Sequence, residues 1–239
     1  MATPARKFKD DVFEQFARIG KAVASPKRLE LLDILCQGPR TVEVLADRAS
    51  LSLANASQHL QVLRSARLIE AEKSGLFVTY RLADGVEAFY LGLRGLAEAR
   101  LAEVEATTRA FVEARGGMES VDAEELLQRA LSGDVTVLDV RPPEEYAAGH
   151  LPNARSVQLG ELRQMMHELP KDREIVAYCR GPYCVLALEA VRALREEGFT
   201  ATRLHTGPPD WRAAGHTIVP LSRGPSTALP QGTIDRASS

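Results

Sequence analysis

The sequence predicts two folded domains, a mainly helical one followed by an α/β one with a largely parallel sheet. Its 239 residues exceed one typical domain and suffice for two that each bury a core. From residue 8 to 115 the hydrophobic spacing is helical apart from one pair of strands. From residue 118 to 221, strands such as Val135–Leu138 and Glu174–Tyr178 alternate with amphipathic helices. That alternation is typical of a parallel sheet covered by helices.

The composition is that of a globular protein with reduced thiols. Hydrophobic residues make up 45% of the chain and charged residues 26%, and no apolar run approaches the roughly 18 residues of a membrane-spanning helix. Three cysteines are too few for a disulfide framework, and no apolar signal core follows the N-terminus, so we expect a cytoplasmic location. We expect Gly116 and Gly117 to mark the domain boundary, and the polar residues 222–239 to form a disordered or loosely docked tail.

Two short, closely spaced helices in the first domain predict a helix-turn-helix. Thr41 begins the first of them, and Ser52 caps the second. The inner face of the second helix is apolar, and its outer face carries polar side chains of a size that can reach base edges or phosphates in a major groove. Together with the cap, these candidate DNA contacts are Ser52, Asn55, Ser57, Gln58 and His59. For His59, a phosphate contact and a helix-packing role fit the pattern equally well.

A β-hairpin follows the second helix. Residues 68–72 and Phe77–Leu82 form its strands, and Lys73–Gly75 lies at its tip. A hairpin in this position is a wing, and Lys73 and Arg81 on it are candidate DNA contacts. The first 85 residues carry a net charge of +3 and the remainder −5, so the basic excess lies in this domain.

The helix-turn-helix and the wing together resemble a known family. The stretch Leu53–Ile69 is similar to the recognition helix of ArsR-family winged-helix repressors, and Val78–Leu82 resembles their wing. The resemblance covers residues 8–115 and predicts a mainly-α winged helix-turn-helix. It implies a homodimer in which helices Phe8–Ala22 and Val86–Arg115 pack across the two-fold axis. The paired recognition helices would then read a near-palindromic operator in double-stranded DNA.

The sequence departs from this family at several positions. Arg67 stands where a helix-ending Gly is common, and Leu76 stands at a wing-tip position that is often Arg. Many relatives sense metals through Cys or His, but here Thr41 replaces the usual thiolate, and residues 86–115 contain neither His nor Cys. We therefore expect no metal site at those places and no cofactor.

The second domain contains a cysteine at the start of a tight turn. A hydrophobic run ends at Cys179, and an apolar helix follows the turn. The free backbone N–H groups of such a turn and the helix dipole favour negative charge, so we predict a lowered pKa and a nucleophilic role for Cys179. The same candidate site includes Arg180, Gly181, Tyr183 and Cys184.

This domain resembles the rhodanese family over residues 121–221. Val137–Tyr146 is similar to the family's first signature, and Cys179–Cys184 to its active loop. The six-residue loop matches sulfurtransferases, whereas the related phosphatases have a loop one residue longer that ends in Arg. The resemblance implies that the Cys179 thiolate takes up sulfane sulfur as a persulfide, which the loop N–H groups stabilise before it passes to a thiol or cyanide.

Other polar residues of this domain have more than one interpretation. Cys184 either resolves the Cys179 persulfide as a disulfide or packs at the start of the helix. Asp139 and Arg141 are expected to form an ion pair that shapes the loop rather than to transfer protons, and His150 is expected to stabilise a turn rather than to act as a base. Cys36, in the first domain, is expected to pack in the core as a small apolar residue.

We interpret the chain as a cytoplasmic, dimeric repressor whose rhodanese domain senses or transfers sulfane sulfur through a Cys179 persulfide. The sulfur signal would act on DNA binding directly or by sulfur transfer to Cys36. One alternative is a thiosulfate or polysulfide sulfurtransferase in which the winged helix serves mainly dimerisation. Another is a module that binds arsenicals or other thiophilic ligands through Cys179 and Cys184 without turnover.

Overall fold

The computed structural model describes residues 3–75, 77–115, 120–121 and 123–220. The predicted boundary glycines, the wing-tip Leu76 and the predicted tail lie outside these ranges. The described residues form a helical domain with its own core, followed by an α/β domain with a core on each face of its sheet. None of the described helices is long and apolar enough to cross a membrane.

The first domain is a winged helix with six helices and a three-stranded sheet among its described residues. The helices are α1 Pro4–Val23, α2 Pro26–Cys36, α3 Val42–Arg48, α4 Leu53–Ser65, α5 Val86–Arg100 and α6 Ala102–Glu113. The strands are β1 Arg40–Thr41, β2 Ile69–Ser74 and β3 Phe77–Leu82, antiparallel in the order β1-β3-β2. Apolar side chains of α2, α3 and α4 are fully buried in its core, among them Leu31, Leu45 and Leu60.

The second domain is a parallel sheet with helices on both faces. The strands are β4 Ser120–Val121, β5 Val135–Asp139, β6 Arg155–Ser156, β7 Glu174–Tyr178 and β8 Ala201–Leu204, in the order β4-β8-β7-β5-β6. The helices are α7 Ala123–Ser132, α8 Pro143–Ala148, α9 Leu159–Met165, α10 Leu186–Glu196 and α11 Pro208–Ala213, with a 3-10 turn at Met166–Glu168. Each of the four pairs between these described strands is parallel, as the alternation of strands and helices predicts.

Two local predictions need correction. Residues 86–115 were expected to form one helix, but Leu101 adopts an extended conformation with φ −112° and ψ 97°, which separates α5 from α6. No Pro or Gly marks this break. The short strand β1 was also missed, because its two residues join the sheet through pairing with β3, about 40 positions later.

Arg67 has a backbone conformation that favours glycine, the residue that the family resemblance leads us to expect at this position. Its φ of +60° lies in the left-handed region that non-glycine residues seldom adopt. The arginine therefore closes the turn after α4 under local strain.

Candidate functional site

Cys179 lies directly after β7, at the carboxyl edge of the parallel sheet, and the active loop runs from it to Cys184 before α10 begins. The Cys179 side chain is 2% exposed, and its Sγ donates to the Cys184 carbonyl oxygen at 3.4 Å. Backbone N–H groups of Gly181 and Ala187 also point at the Cys179 sulfur. The loop therefore forms the predicted cradle of amides, at the edge of the sheet where α/β folds bind ligands.

The predicted charge state of Cys179 is wrong in this structure. Burial raises the pKa of Cys179 well above its ordinary value, and the neighbouring Cys184 raises it further. The pKa of Cys184 is instead lowered to about 7, first by the hydrogen bond that it accepts from Cys179 and then by backbone N–H groups and the charge of Arg180. The cradle amides are thus present, but the desolvation of a fully buried thiol outweighs them at Cys179.

Two glycines allow the loop its close contacts. Gly181 has φ +152°, a conformation that side chains disfavour. Gly207 begins the closing segment, which runs from Gly207 through α11 to Gly215, and it lies so near the loop that a Cβ there would collide with the Arg180 carbonyl group and lie 2.9 Å from the Cys179 carbonyl oxygen. Asp210 accepts a hydrogen bond from the Gly207 N–H at 2.9 Å and so holds this segment in place.

Arg180 connects the loop to the winged helix through a shared carboxylate. Glu145 of α8 is completely buried, and the Arg180 Nε donates to both of its oxygens, at 3.1 and 3.0 Å. Arg48 of α3 binds the same carboxylate and also pairs with Glu144 at 2.6 Å. Arg40 lies 3.7 Å away. One buried negative charge therefore holds the active loop and the first helix of the helix-turn-helix together.

Asp139 and Arg141 form the expected ion pair, at 2.6 Å, and both are fully buried. Among the described residues, neither contacts a cysteine through a hydrogen bond. Arg141 instead donates to the Gln37 side-chain oxygen at 3.1 Å, and the Gln37 amide donates to the Arg180 carbonyl at 3.2 Å. Gln37 was not predicted, because its partners lie more than 100 positions away and no local pattern marks it.

Tyr183 and Cys184 face the winged-helix domain from the far side of the loop. The Tyr183 hydroxyl donates to Glu98 of α5 at 2.6 Å. Cys184 lines a pocket of about 320 Å³ that Asp33 of α2 and Arg48 of α3 also line. Residues of both domains therefore surround the loop. The sequence pattern of either domain alone does not predict this arrangement.

The predicted DNA contacts lie on α4 and on the wing. The Ser52 hydroxyl accepts from the Asn55 N–H at 3.2 Å, which caps α4 as predicted. Along α4, Asn55, Ser57 and Gln58 are exposed, and His59 is half-buried. On the wing, Lys73 is exposed, whereas the exposed Arg81 pairs with Glu70 on the neighbouring strand.

Cys36 and His150 occupy positions that stabilise the fold. Cys36 is buried in the helical core, where burial raises its pKa, and all three cysteines are free thiols. The His150 ring stacks on Tyr146 and contacts the Tyr146 carbonyl at 3.0 Å, consistent with a turn-stabilising role. Within the described ranges, no group of three or more His, Cys, Asp or Glu side chains is placed to hold a metal ion.

Comparison with known proteins matches both domains in order. A family described as a helix-turn-helix domain matches residues 23–72, and one described as a rhodanese-like domain matches residues 122–214. The chain is 42% identical to the HTH-type transcriptional regulator Rv0324 of Mycobacterium tuberculosis, over 89% of this chain and 92% of that protein. It is 35% identical to a sulfurtransferase of Allochromatium vinosum, over 41% of this chain and 92% of that protein.

Among solved structures, the homodimeric winged helix-turn-helix DNA-binding domain of Mb0332 from Mycobacterium bovis is 36% identical, with a TM-score of 0.39. It aligns with 42% of this chain and 94% of its own length. The identity to Rv0324 extends across both domains described above. The chain therefore belongs to the ArsR-type winged-helix transcriptional regulators that carry a C-terminal rhodanese-like domain.

Proposed function

We propose that this regulator is a homodimeric, cytoplasmic repressor whose affinity for its operator changes when sulfane sulfur loads onto Cys179. The observation that carries the proposal is the Glu145 carboxylate, which binds Arg180 of the active loop and Arg48 of α3 at once. A chemical change in the loop therefore acts on the helix that precedes the recognition helix. This direct route does not require sulfur transfer to Cys36, which is buried in the core.

The sulfur step uses the two loop cysteines in different roles. Cys184, whose pKa is lowered to about 7, is the more acidic thiol of the pair, and the fraction of it that is thiolate near neutral pH takes the Cys179 proton. The Cys179 thiolate then attacks the outer sulfur of a polysulfide or of thiosulfate. The S–S bond of the donor breaks, and a shorter polysulfide or sulfite leaves with the electron pair. Backbone N–H groups of the loop stabilise the persulfide anion that remains on Cys179.

Formation of the persulfide changes the packing around Cys179 as well as its charge. Cys179 is almost completely buried, and the loop on its far side is held by Gly207 and Gln37. One additional sulfur atom in a closely packed site displaces the loop rather than fitting an existing space. The displacement reaches Arg180 and, through Glu145, Arg48 of α3.

Cys184 also provides a route by which the Cys179 persulfide is removed within the loop. Attack of the Cys184 thiolate on the inner sulfur of the Cys179 persulfide forms a disulfide between the two cysteines and releases hydrosulfide. No external oxidant is needed, because the sulfane sulfur is reduced as the disulfide forms. We expect the Cys184→Ser variant to keep its persulfide longer than wild type, as seen by intact-protein mass spectrometry.

The DNA-binding part of the proposal depends on α4 and on helices that expose large apolar side chains. Large apolar side chains of α1 and α5 are exposed in the single chain, including Phe8, Phe13, Phe16 and Leu96. A two-fold related copy would cover such a surface. The two α4 helices of the dimer then read half-sites about one helical turn apart, roughly 34 Å.

The test measures operator affinity before and after polysulfide treatment at one fixed salt concentration, using an operator selected from genomic fragments. We expect wild type to change its affinity at least fivefold and to gain the mass of one sulfur atom on Cys179. Cys179→Ser should do neither. An Arg48→Gln variant should gain the sulfur but respond less on DNA. Sulfur uptake with unchanged operator affinity would support the sulfurtransferase alternative, and the absence of selected fragments would exclude a repressor.

A further inference from the structure

A second cleft lies beside the active loop and has no role in the proposed switch. It has a volume of about 680 Å³, lies between α6 and the end of β8, and shares Pro182 and Tyr183 with the Cys184 pocket. Thr108 and Arg109 of α6 line it on one side, and Arg203 and His205 on the other. The volume is in the range of small-molecule sites.

Arg203 is a buried cation without a matching anion. Its side chain is 5% exposed, and its Nε has no hydrogen-bond partner in the described part of the chain. A terminal nitrogen contacts the His205 ring at 3.4 Å. Burial lowers the pKa of Arg203, and no carboxylate among the described residues opposes this. Because an uncompensated buried charge is strongly unfavourable, the cleft is electrostatically incomplete without a negative group.

The position of Arg203 relates the cleft to the reactive sulfur. Arg203 pairs in register with Ala177 on the neighbouring parallel strand, two residues before Cys179. Alternate residues of a strand share a face, so Arg203 lies on the face of the sheet that carries Ala177 and Cys179. Cys179 also acts electrostatically on Arg203. A ligand anion on Arg203 would therefore lie at the same end of the sheet as the persulfide.

The rim of the cleft has the opposite charge. Glu98, Glu105 and Glu113 line it and are exposed, and although Arg109 of the rim pairs with Glu105, the rim keeps an excess of negative charge, whereas Arg203 is a buried lining residue. This arrangement complements a molecule with a carboxylate at one end and an ammonium group at the other. Such molecules include amino-acid and small peptide thiols.

We propose that this cleft binds a zwitterionic low-molecular-weight thiol, with its carboxylate on Arg203, which accepts the sulfur from Cys179. The acceptor thiolate attacks the outer sulfur of the Cys179 persulfide, the S–S bond breaks, and its electron pair stays on Cys179 as the thiolate. The acceptor leaves as a persulfide. The transfer step rests on the proposed sulfur loading, whereas the binding of the thiol does not.

The binding test uses an unreactive probe, S-methylglutathione, titrated calorimetrically into the reduced full-length chain. We expect Arg203→Gln to bind it at least tenfold more weakly than wild type. The matched control is Arg192→Gln, an exposed arginine of α10 outside the cleft, which should bind as wild type does. As a measurement that needs no variant, the carboxyl-esterified probe should bind wild type at least tenfold more weakly than the free acid.

The second measurement is sulfur discharge from preloaded Cys179 to glutathione. Arg203→Gln should raise the KM for glutathione at least tenfold and leave kcat within about twofold. Equal affinity for the acid and its ester, or no binding to wild type, would overturn the inference even if Cys179 takes up sulfur. Binding that depends on Arg203 in a protein that takes up no sulfur would support the site and refute the proposed sulfur chemistry.

Discussion

The recognition face of α4 and the active loop of the rhodanese domain differ in how they are held. Asn55, Ser57 and Gln58 extend into solvent from a helix whose cap and buried side chains all come from nearby sequence. The active loop is instead fixed by distant residues, since Arg180 is held by Glu145 and by Gln37. The surface of α4 is available for an external partner, whereas a change within the loop must act on the rest of the molecule.

Replacement of Glu145 should have the largest effect. Glu145→Ala leaves Arg180, Arg48 and Arg40 around an empty buried site, and removal of one partner from a buried pair costs about 3–5 kcal/mol. We expect a corresponding loss in the free energy of unfolding measured by urea denaturation. The control is Glu144→Ala, which removes a half-exposed carboxylate from Arg48 and should cost no more than about 1 kcal/mol. Equal effects of the two variants would mean that the shared carboxylate does not hold the loop.

Gly207→Ala tests the contact between the closing segment and the loop. Its methyl group would collide with the Arg180 backbone, which cannot move aside as a side chain can. We expect a loss of about 3 kcal/mol, at the upper end of typical overpacking effects, together with loss of sulfur uptake by Cys179. Gly160→Ala in α9 is a suitable control, because a Cβ there meets nothing within 4 Å and helices favour Ala over Gly. A Gly207→Ala protein with unchanged stability would show that the segment adjusts freely.

Gln58→Ala tests the exposed face. Because Gln58 is exposed and its side chain makes no hydrogen bond with any residue that the structure describes, the free energy of unfolding should change by less than about 0.5 kcal/mol. Discrimination between operator and altered sequences should fall by about 1–3 kcal/mol, as for loss of a bidentate base contact. Competition binding with single-base operator variants measures this. Arg81→Ala should instead weaken binding to all sequences alike, and a selective effect there would assign base reading to the wing.

Arg67→Gly should increase stability. Relief of the left-handed backbone conformation is worth about 1 kcal/mol for a non-glycine residue. Thermal unfolding should show a slightly higher Tm, with operator affinity unchanged. A lower Tm would indicate that the Arg67 side chain contributes more than its backbone costs.

The smallest expected effect is a change in the alkylation rate of Cys184 with pH. Because the pKa of Cys184 is lowered to about 7, its alkylation by iodoacetamide should rise with a midpoint near pH 7, followed by peptide mass spectrometry. In Cys179→Ala the hydrogen bond to the Cys184 thiolate is lost, so the midpoint should move upward, toward that of an ordinary thiol. An unchanged midpoint in the variant would assign the lowered pKa to the backbone N–H groups and Arg180 instead.

The sequence predicts most of what is local. The Ser52 cap, the hairpin and the parallel strands each follow from residues within one element and its neighbours. The pKa of Cys179 was predicted in the wrong direction, because the turn pattern indicates the amides but not the burial by residues distant in sequence. The break at Leu101 was missed for a similar reason. No residue there disfavours a helix, but α6 beyond the break lines a cleft with the second domain.

The hydrogen bond from Arg212 to the Cys36 carbonyl oxygen stabilises the C-terminal end of α2. Helix α2 has no basic residue in its last turn, and Arg212 of the second domain donates to the carbonyl oxygen of its final residue at 2.9 Å. The negative end of the helix dipole is therefore neutralised by a cation from the other domain, an interaction worth about 0.3–1 kcal/mol. A winged helix separated from its rhodanese domain would fold with this helix end exposed to water, and α2 would fray first from Cys36.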